Sequence, residues 1–321
     1  MSALFAISVA MGIANPEPEK LLGLIAGPTA SGKTALALRI AETRDVTIIN
    51  ADSAQVYRDL PILSAQPREA EQAACPHRLF GYLDGRESCS AARWAADAKR
   101  EIEAAWDAGR YPLLVGGTGL YLRTLLDGIA PIPAIDPDIR ADVRAMDIDL
   151  LRPALAREDP GIARELHPND RSRLQRALET IRSTGRSIAH WRAKKVGGIG
   201  DAVDLTALVL LPPREWLYDR CDRRFASMIE QGAVDEVRAL LARDLPEDCP
   251  VMRAIGVPEL RAYLSGEIDQ DEASARASQA TRNYAKRQYT WFRGQAPETW
   301  QQERRSIDVD NISAIVTLFQ K

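Results

Sequence analysis

An α/β fold is predicted, on three observations. Short apolar runs alternate with helix-forming segments over the first third of the chain, a glycine-rich turn closes the first of those runs, and helical patterning dominates much of the remaining sequence. Together they describe a P-loop parallel sheet flanked by helices, with a helical insertion domain and a helical C-terminal region.

Leu21–Ala26 is an apolar run that stops at Gly27, as a buried parallel strand does. Thr34–Glu42 is built of good helix formers, and Val46–Asn50 reads as a second strand. An amphipathic helix from about Ala91 to Ala108 leads to a third strand, Pro112–Val115, which meets Gly116-Gly117. Prolines at 131, 133 and 137 then make a stiff, turn-rich exit. The stretch to about Ile199 reads as helical, with a break at 166–169 and a loose glycine-rich end at 196–200. Thr206–Leu211 returns the chain to the sheet, and everything after Arg214 reads as helix. The resulting division is an N-terminal extension at 1–20 expected to be disordered, a first part of the core at 21–133, an insertion domain at 134–204, and a return to the core with C-terminal helices at 205–321.

Composition narrows the function classes. The 321 residues carry 42 Lys and Arg against 45 Asp and Glu, so a basic coat for blanket nucleic-acid binding is excluded. The charge is nonetheless uneven. Residues 161–195 hold 9 basic side chains against 3 acidic ones, and residues 281–293 hold 4 against none, which favours a polyanionic partner. The four cysteines, at 75, 89, 221 and 249, form no C-x-x-C pair and have no histidines at zinc-finger spacing. They read as reduced thiols of a cytoplasmic protein. The apolar stretch between Leu4 and Ala14 lacks the basic flank of a signal peptide and is too short to span a bilayer, so no membrane role is expected.

Gly27, Pro28, Thr29, Ala30, Ser31, Gly32, Lys33 and Thr34 satisfy G-x-x-x-x-G-K-[ST] between a strand and a helix. Such a turn points backbone N–H groups at phosphate oxygens, adds a helix N-terminus, and supplies a lysine charge and a hydroxyl able to ligate magnesium. The motif does not say which phosphate is held. Asp52 follows the second strand, where open α/β sheets place their sites, and a carboxylate there can take a proton from a nucleophile or serve as a helix cap. Thr118, in Gly116-Gly117-Thr118-Gly119, closes the third strand in the same way.

These segments, with Ser53-Ala54-Gln55-Val56-Tyr57-Arg58, Leu120-Tyr121, His167-Pro168-Asn169-Asp170, Arg173–Glu179, Arg220–Phe225, Ala254-Ile255-Gly256 and Thr281–Arg293, resemble the tRNA dimethylallyltransferases of the bacterial type in unbroken order from about Leu21 to Arg293. The resemblance implies transfer of a dimethylallyl group from dimethylallyl diphosphate to N6 of the adenosine 3′ of the anticodon, with diphosphate and Mg2+ in the P-loop and Thr34 on the metal. It implies Asp52 as general base, with Thr118 and Arg220 on the diphosphate. It further implies tRNA contacts from Asp52, Ser53, Ala54, Gln55 and Thr118 at the site, and from Arg140, Ser172, Arg173, Leu174, Gln175 and Arg176 in the insertion. Arg253, Lys286, Arg287 and Arg293 complete the expected grip on the anticodon arm. A flipped target base and a monomeric enzyme are expected with it.

Two departures stand out. The family's Gly-Thr-Ala-Lys-Pro is replaced by Ser64-Ala65-Gln66-Pro67, removing a lysine near the expected donor, and its Gly-Tyr-Lys-Glu by Gly256-Val257-Pro258-Glu259. Both are expected to lower affinity and leave the activity. Two other classes compete: a P-loop kinase for a nucleotide or other small molecule, whose insertion would be a lid, and an RNA-binding protein with a decayed P-loop, which the intact Gly32-Lys33-Thr34 disfavours.

Overall fold

In a computed structural model, residues 20–307 and 309–320 are described. All but the last residue of the expected extension at 1–20 lies outside them. Compactness divides the chain into one unit made of the segment up to Leu122 and the segment from Gly200 onward, and a second unit from Arg123 to Ile199. Hydropathy and proline placement put that line at 134 and 204.

The first unit begins with β1 (Leu21–Ala26), α1 (Lys33–Ala41), β2 (Val46–Asn50), α2 (Glu69–Ala74), β3 (His77–Arg78), α3 (Ala91–Asp107), β4 (Tyr111–Gly116) and the start of α4 (Gly119–Asp127). The second unit holds the rest of α4, then α5 (Pro137–Ala145), α6 (Ile148–Glu158), α7 (Pro160–Glu165), α8 (Arg171–Thr184) and α9 (Ile188–Arg192). The chain returns through β5 (Asp204–Leu210), α10 (Arg214–Glu230), α11 (Ala233–Leu241), α12 (Val257–Leu264), α13 (Gln270–Gln295), β6 (Gln301–Glu303) and α14 (Val309–Val316).

All six strands pair in parallel, in the order β3-β2-β4-β1-β5-β6. Every residue of β2 and β4, and all of β1 but Leu21, is buried, as a sheet covered on both faces requires. The register sets Ala26 beside Gly116 and Val209, and Asn50 beside Val115. The turns after β1, β2 and β4 therefore leave the sheet along one edge, the carboxyl ends of its strands. On one face α1 presents Leu36, Ala37 and Ile40 to a core that includes Ile25, Ile48, Leu113, Leu210 and, from the C-terminal segment, Ile315 and Phe319. Helix α3 is capped by Ser90, whose hydroxyl accepts from Arg93 N at 3.1 Å, and its Trp94 indole donates to Asn50 O at 2.9 Å.

The second unit packs Val143, Leu151, Leu155, Ile162, Leu174, Leu178 and Ile188 into its own core. These side chains, each worth about 1.5–3 kcal/mol when fully buried, form the core around which its helices pack. Pro137 does not prolong the irregular exit. It opens α5 behind Asp136, whose carboxylate accepts from Asp138 N at 2.8 Å, because a proline has no N–H to lose in a first turn.

Two other expectations are corrected. Residues 196–200 are not a loose end: Val196 and Ile129 exchange both backbone hydrogen bonds at 3.0 Å, and Ile199 N donates to Leu125 O at 3.0 Å. The region after Arg214 is not wholly helical either, since Gln301–Glu303 adds β6 to the sheet edge through Leu208–Leu210.

Candidate active site

The glycine-rich turn is built by backbone that few side chains tolerate. Gly32 caps α1 in the left-handed region at φ 99°, and Ala30 holds φ 62° just before it. No side chain caps α1, which leaves the amide donors of its first turn for an anion. The Ser31 hydroxyl is buried without a partner among the described residues. Lys33 donates from Nζ to Gly27 O at 2.9 Å and to Pro28 O at 2.7 Å, which centres the ammonium in the loop. Burial depresses its pKa to about 8, against the opposing pull of the Asp52 carboxylate. Arg220 of α10 seals one side, its Nε donating to Ala30 O at 2.9 Å while its guanidinium lies over Trp216.

Across from the loop stands Asp52. Its N–H donates to Asn50 Oδ1 at 2.7 Å and its Oδ1 accepts from Ala54 N at 3.0 Å, an Asx turn that fixes one carboxylate oxygen. The capping role considered for Asp52 is thus a local turn, with no helix starting there. Ser53 N donates to the Thr118 hydroxyl at 2.9 Å, and Thr118 donates to Ser53 Oγ at 3.2 Å, so the turns after β2 and β4 are locked together. The Tyr284 phenol of α13 meets both hydroxyls, and burial with the Asp52 charge raises its pKa, keeping it protonated. Arg224, one helical turn after Arg220, also feels Asp52, while burial lowers its pKa.

These groups share a cavity of about 900 Å³. Thr29 to Thr34, Asp52, Ser53, Ala54, Gln55, Arg220, Arg253 and Arg287 line it, as do apolar Leu60, Leu63, Phe225 and Met228. Gly27 and Pro28 do not line the cavity, nor does Thr118, whose hydroxyl, expected on the diphosphate, is engaged with Ser53 instead. Lys286 and Arg293 are exposed on α13 away from the wall. One further residue joins the parts. Buried Gln288 accepts from Thr29 N at 2.8 Å and donates to Gly117 O at 3.0 Å. A Cβ on Gly117 would fall 2.3 Å from Gln288 Nε2, so glycine is required there.

Gln288, Tyr284 and Arg224 carry no site role in the reading of the sequence. A signal for Gln288 exists: it interrupts the apolar stripe Ala273, Ala277, Ala285 and Phe292 of α13, and a polar residue at a core position needs partners.

The residues expected from the insertion form a cluster of their own. Ser172 and Arg173 are exposed in the first turn of α8, with Arg173 3.3 Å from Asp170. Arg176 reaches buried Glu179 at 3.8 Å, which Arg144 also reaches at 3.3 Å. Gln175 is held by the Val143 and Arg144 carbonyls, and Arg140 is partly buried. Leu174 is a correction: at 2% exposure its side chain belongs to the core of this unit and offers nothing to RNA.

Both sequence departures have local explanations. Gln66 turns away from the cavity and donates to Tyr57 O at 2.8 Å and to Ser64 Oγ at 3.2 Å. Pro258 occupies the first turn of α12, where no backbone N–H is needed. Among the described residues no group of three or more His, Cys, Asp or Glu is placed to hold a metal, and no helix is long and apolar enough to cross a membrane. The four cysteines are free thiols.

Comparisons with known proteins give the family. Residues 55–295 match the family model described as IPP transferase. The chain is 58% identical to the tRNA dimethylallyltransferase of Erythrobacter litoralis over 87% of its own length and 90% of that protein's. It is 56% identical to the enzyme of the same name from Sphingopyxis alaskensis, over 91% and 95%. Among solved structures, the tRNA isopentenylpyrophosphate transferase of Bacillus halodurans superposes with a TM-score of 0.68 at 34% identity, covering 94% of this chain and 96% of that one. A eukaryotic dimethylallyltransferase acting on tRNA gives 0.75 at 30% identity, covering 85% and 70%. A phosphate loop facing a carboxylate across one cavity, carried on this sheet and matched at this identity over nearly the whole chain, makes the protein a member of the IPP transferase family, the tRNA dimethylallyltransferases.

Proposed function

We propose that this chain transfers a dimethylallyl group from dimethylallyl diphosphate to N6 of the adenosine 3′ of the anticodon in tRNA, releasing diphosphate. The observation that carries the reading is one cavity with three kinds of wall: the amide-rich loop at Thr29–Thr34, the Asp52 carboxylate, and the apolar group Leu60, Leu63, Phe225 and Met228. A diphosphate ester with a short hydrocarbon tail needs the first and the last, and an exocyclic amine needs the second. The P-loop kinase reading gains no support from the relatives, whose names are those of dimethylallyltransferases.

In this reading the loop amides and Lys33 hold the diphosphate, with Arg220 closing over Ala30. The N6 lone pair forms a bond to the allylic carbon as the carbon–oxygen bond breaks, and the electron pair leaves with diphosphate. The N6 proton passes to Asp52, whose Oδ1 is fixed by Ala54 N. An amine conjugated to a purine is a weak nucleophile, so alignment and stabilised departure contribute more than base strength. Thr118, through Ser53, keeps the Asp52 turn in register with β4.

Magnesium fits the donors present. Thr34 is exposed at the start of α1 and the Asp52 carboxylate lines the same cavity, two hard oxygen donors suited to an ion that keeps water and shares phosphate oxygens. Bound there, it would neutralise charge on the leaving diphosphate. The anticodon arm would be gripped by Arg140, Ser172, Arg173, Gln175 and Arg176 in the insertion and by Arg253, Lys286, Arg287 and Arg293, with Ser53, Ala54 and Gln55 beside the flipped base. The enzyme would work as a cytoplasmic monomer.

Incubation with labelled dimethylallyl diphosphate, magnesium and unmodified tRNA tests the reading. Label is expected in the RNA at that adenosine. Unlabelled RNA alongside turnover of ATP would remove it in favour of a kinase.

A further inference from the structure

We infer that Gln288 is a positioning residue: its amide ties the diphosphate loop to the turn after β4 and thereby sets the donor-binding shape of the loop. The inference rests on the reading of Gly27–Thr34 as the seat of the donor's diphosphate.

The contacts leave little choice of residue. Gln288 is 6% exposed, and its two partners are both backbone groups of fixed polarity: the Thr29 N–H can only donate and the Gly117 carbonyl can only accept. Only a side chain with one acceptor and one donor at the same reach satisfies both. Glutamate lacks the donor when ionised and turns a negative oxygen toward the Gly117 carbonyl. Lysine and arginine lack the acceptor, asparagine is one methylene short, and methionine offers neither group.

What is tied together matters for the chemistry. Thr29 is in the middle of the phosphate loop, Gly117 directly precedes Thr118, and Thr118 receives Ser53 N beside Asp52. Gln288 thus spans the donor side and the acceptor side from a third element, α13, whose exposed face carries Lys286, Arg287 and Arg293. Loss of the amide frees the Thr29 N–H and the loop conformation that Ala30, at φ 62°, must otherwise hold alone. The cost falls first on donor binding.

The experiment measures binding of inorganic pyrophosphate with magnesium, donor and tRNA KM, and affinity for an unmodified anticodon stem-loop, in wild type, Gln288→Met and Gln288→Glu. In Gln288→Met, pyrophosphate affinity is expected to fall, and donor KM to rise, by about tenfold or more, with stem-loop affinity within about twofold of wild type. Gln288→Glu is expected to show the same defect near pH 8 and to recover toward wild type near about pH 6, because a protonated carboxyl again offers one donor and one acceptor and burial raises its pKa. Gln288→Met should show no such recovery. Pyrophosphate affinity within about twofold of wild type in both variants would overturn the inference, as would equal loss of pyrophosphate and stem-loop binding, or a Gln288→Glu defect that does not depend on pH. Should Gln288→Met fail to fold, the pH profile of Gln288→Glu decides alone. Wild type that binds no pyrophosphate and labels no RNA would instead remove the functional reading on which the inference rests.

Discussion

The cavity of the sheet-bearing unit and helix α8 of the helical unit both depend on basic side chains, and they hold them in opposite ways. Lys33 and Arg224 are half-buried against the cavity, and burial lowers the pKa of each. The Arg173 side chain is 70% exposed beside Asp170, and that of Arg176 42% exposed beside Glu179. A desolvated cation acts on a nearby phosphate through a low effective dielectric, whereas an exposed one is screened by salt and gains little from any single contact. The first arrangement suits charge that develops at one place during a reaction. The second suits a polyanion held by many small, interchangeable contacts.

That contrast is broken most directly at Asp52. Asp52→Ala is expected to lower prenyl transfer by about a hundredfold to ten-thousandfold while RNA affinity holds, as removal of a positioned base does. Single-turnover transfer measured beside stem-loop binding checks it, and an unchanged rate would refute the assignment.

A smaller effect is expected from titrating Lys33. With its pKa depressed to about 8, the ammonium that attracts diphosphate is lost as pH rises past that value, so pyrophosphate affinity should weaken by up to about tenfold per pH unit above it. Lys33→Arg should flatten the profile, which separates the lysine from the titration of pyrophosphate itself. Fold stability should move the other way between about 8 and the ordinary 10.5, since the unfolded chain then holds a proton that the folded one has released. Calorimetric titration and denaturant melts over the same buffers read both signs.

The smallest effects belong to α8. Arg173→Ala and Arg176→Ala are each expected to weaken stem-loop binding severalfold and to reduce its salt slope by about one, leaving pyrophosphate binding alone. A flat salt response in the wild type would count against α8 as an RNA grip.

Legibility in the sequence depends on how local the cause of each feature is. The glycine-rich loop can be read because eight consecutive residues make the turn and carry its amide, lysine and hydroxyl groups. Asp52 and Thr118 can be read because each sits directly after a recognisable strand. Arg224, Tyr284 and Gln288 cannot, since α10 and α13 reach the sheet edge only through long-range packing that no spacing in the chain records. Strand β6 escapes notice because Gln301–Glu303 is short, polar and at an edge, where one neighbour supplies all of its pairing. Leu174 misleads for the opposite reason. Its arginine neighbours draw attention, although the period through Leu174, Ala177, Leu178 and Ile181 marks it as a core position.

The paired backbone at Ile129 and Val196 has a consequence for how such a molecule can change over time. The polypeptide enters and leaves the helical unit through two segments that already hold hands, so lengthening, trimming or replacing the residues between them adds little closure entropy to the rest. A lineage can therefore rewrite one self-contained module while the strands of the sheet keep their registry.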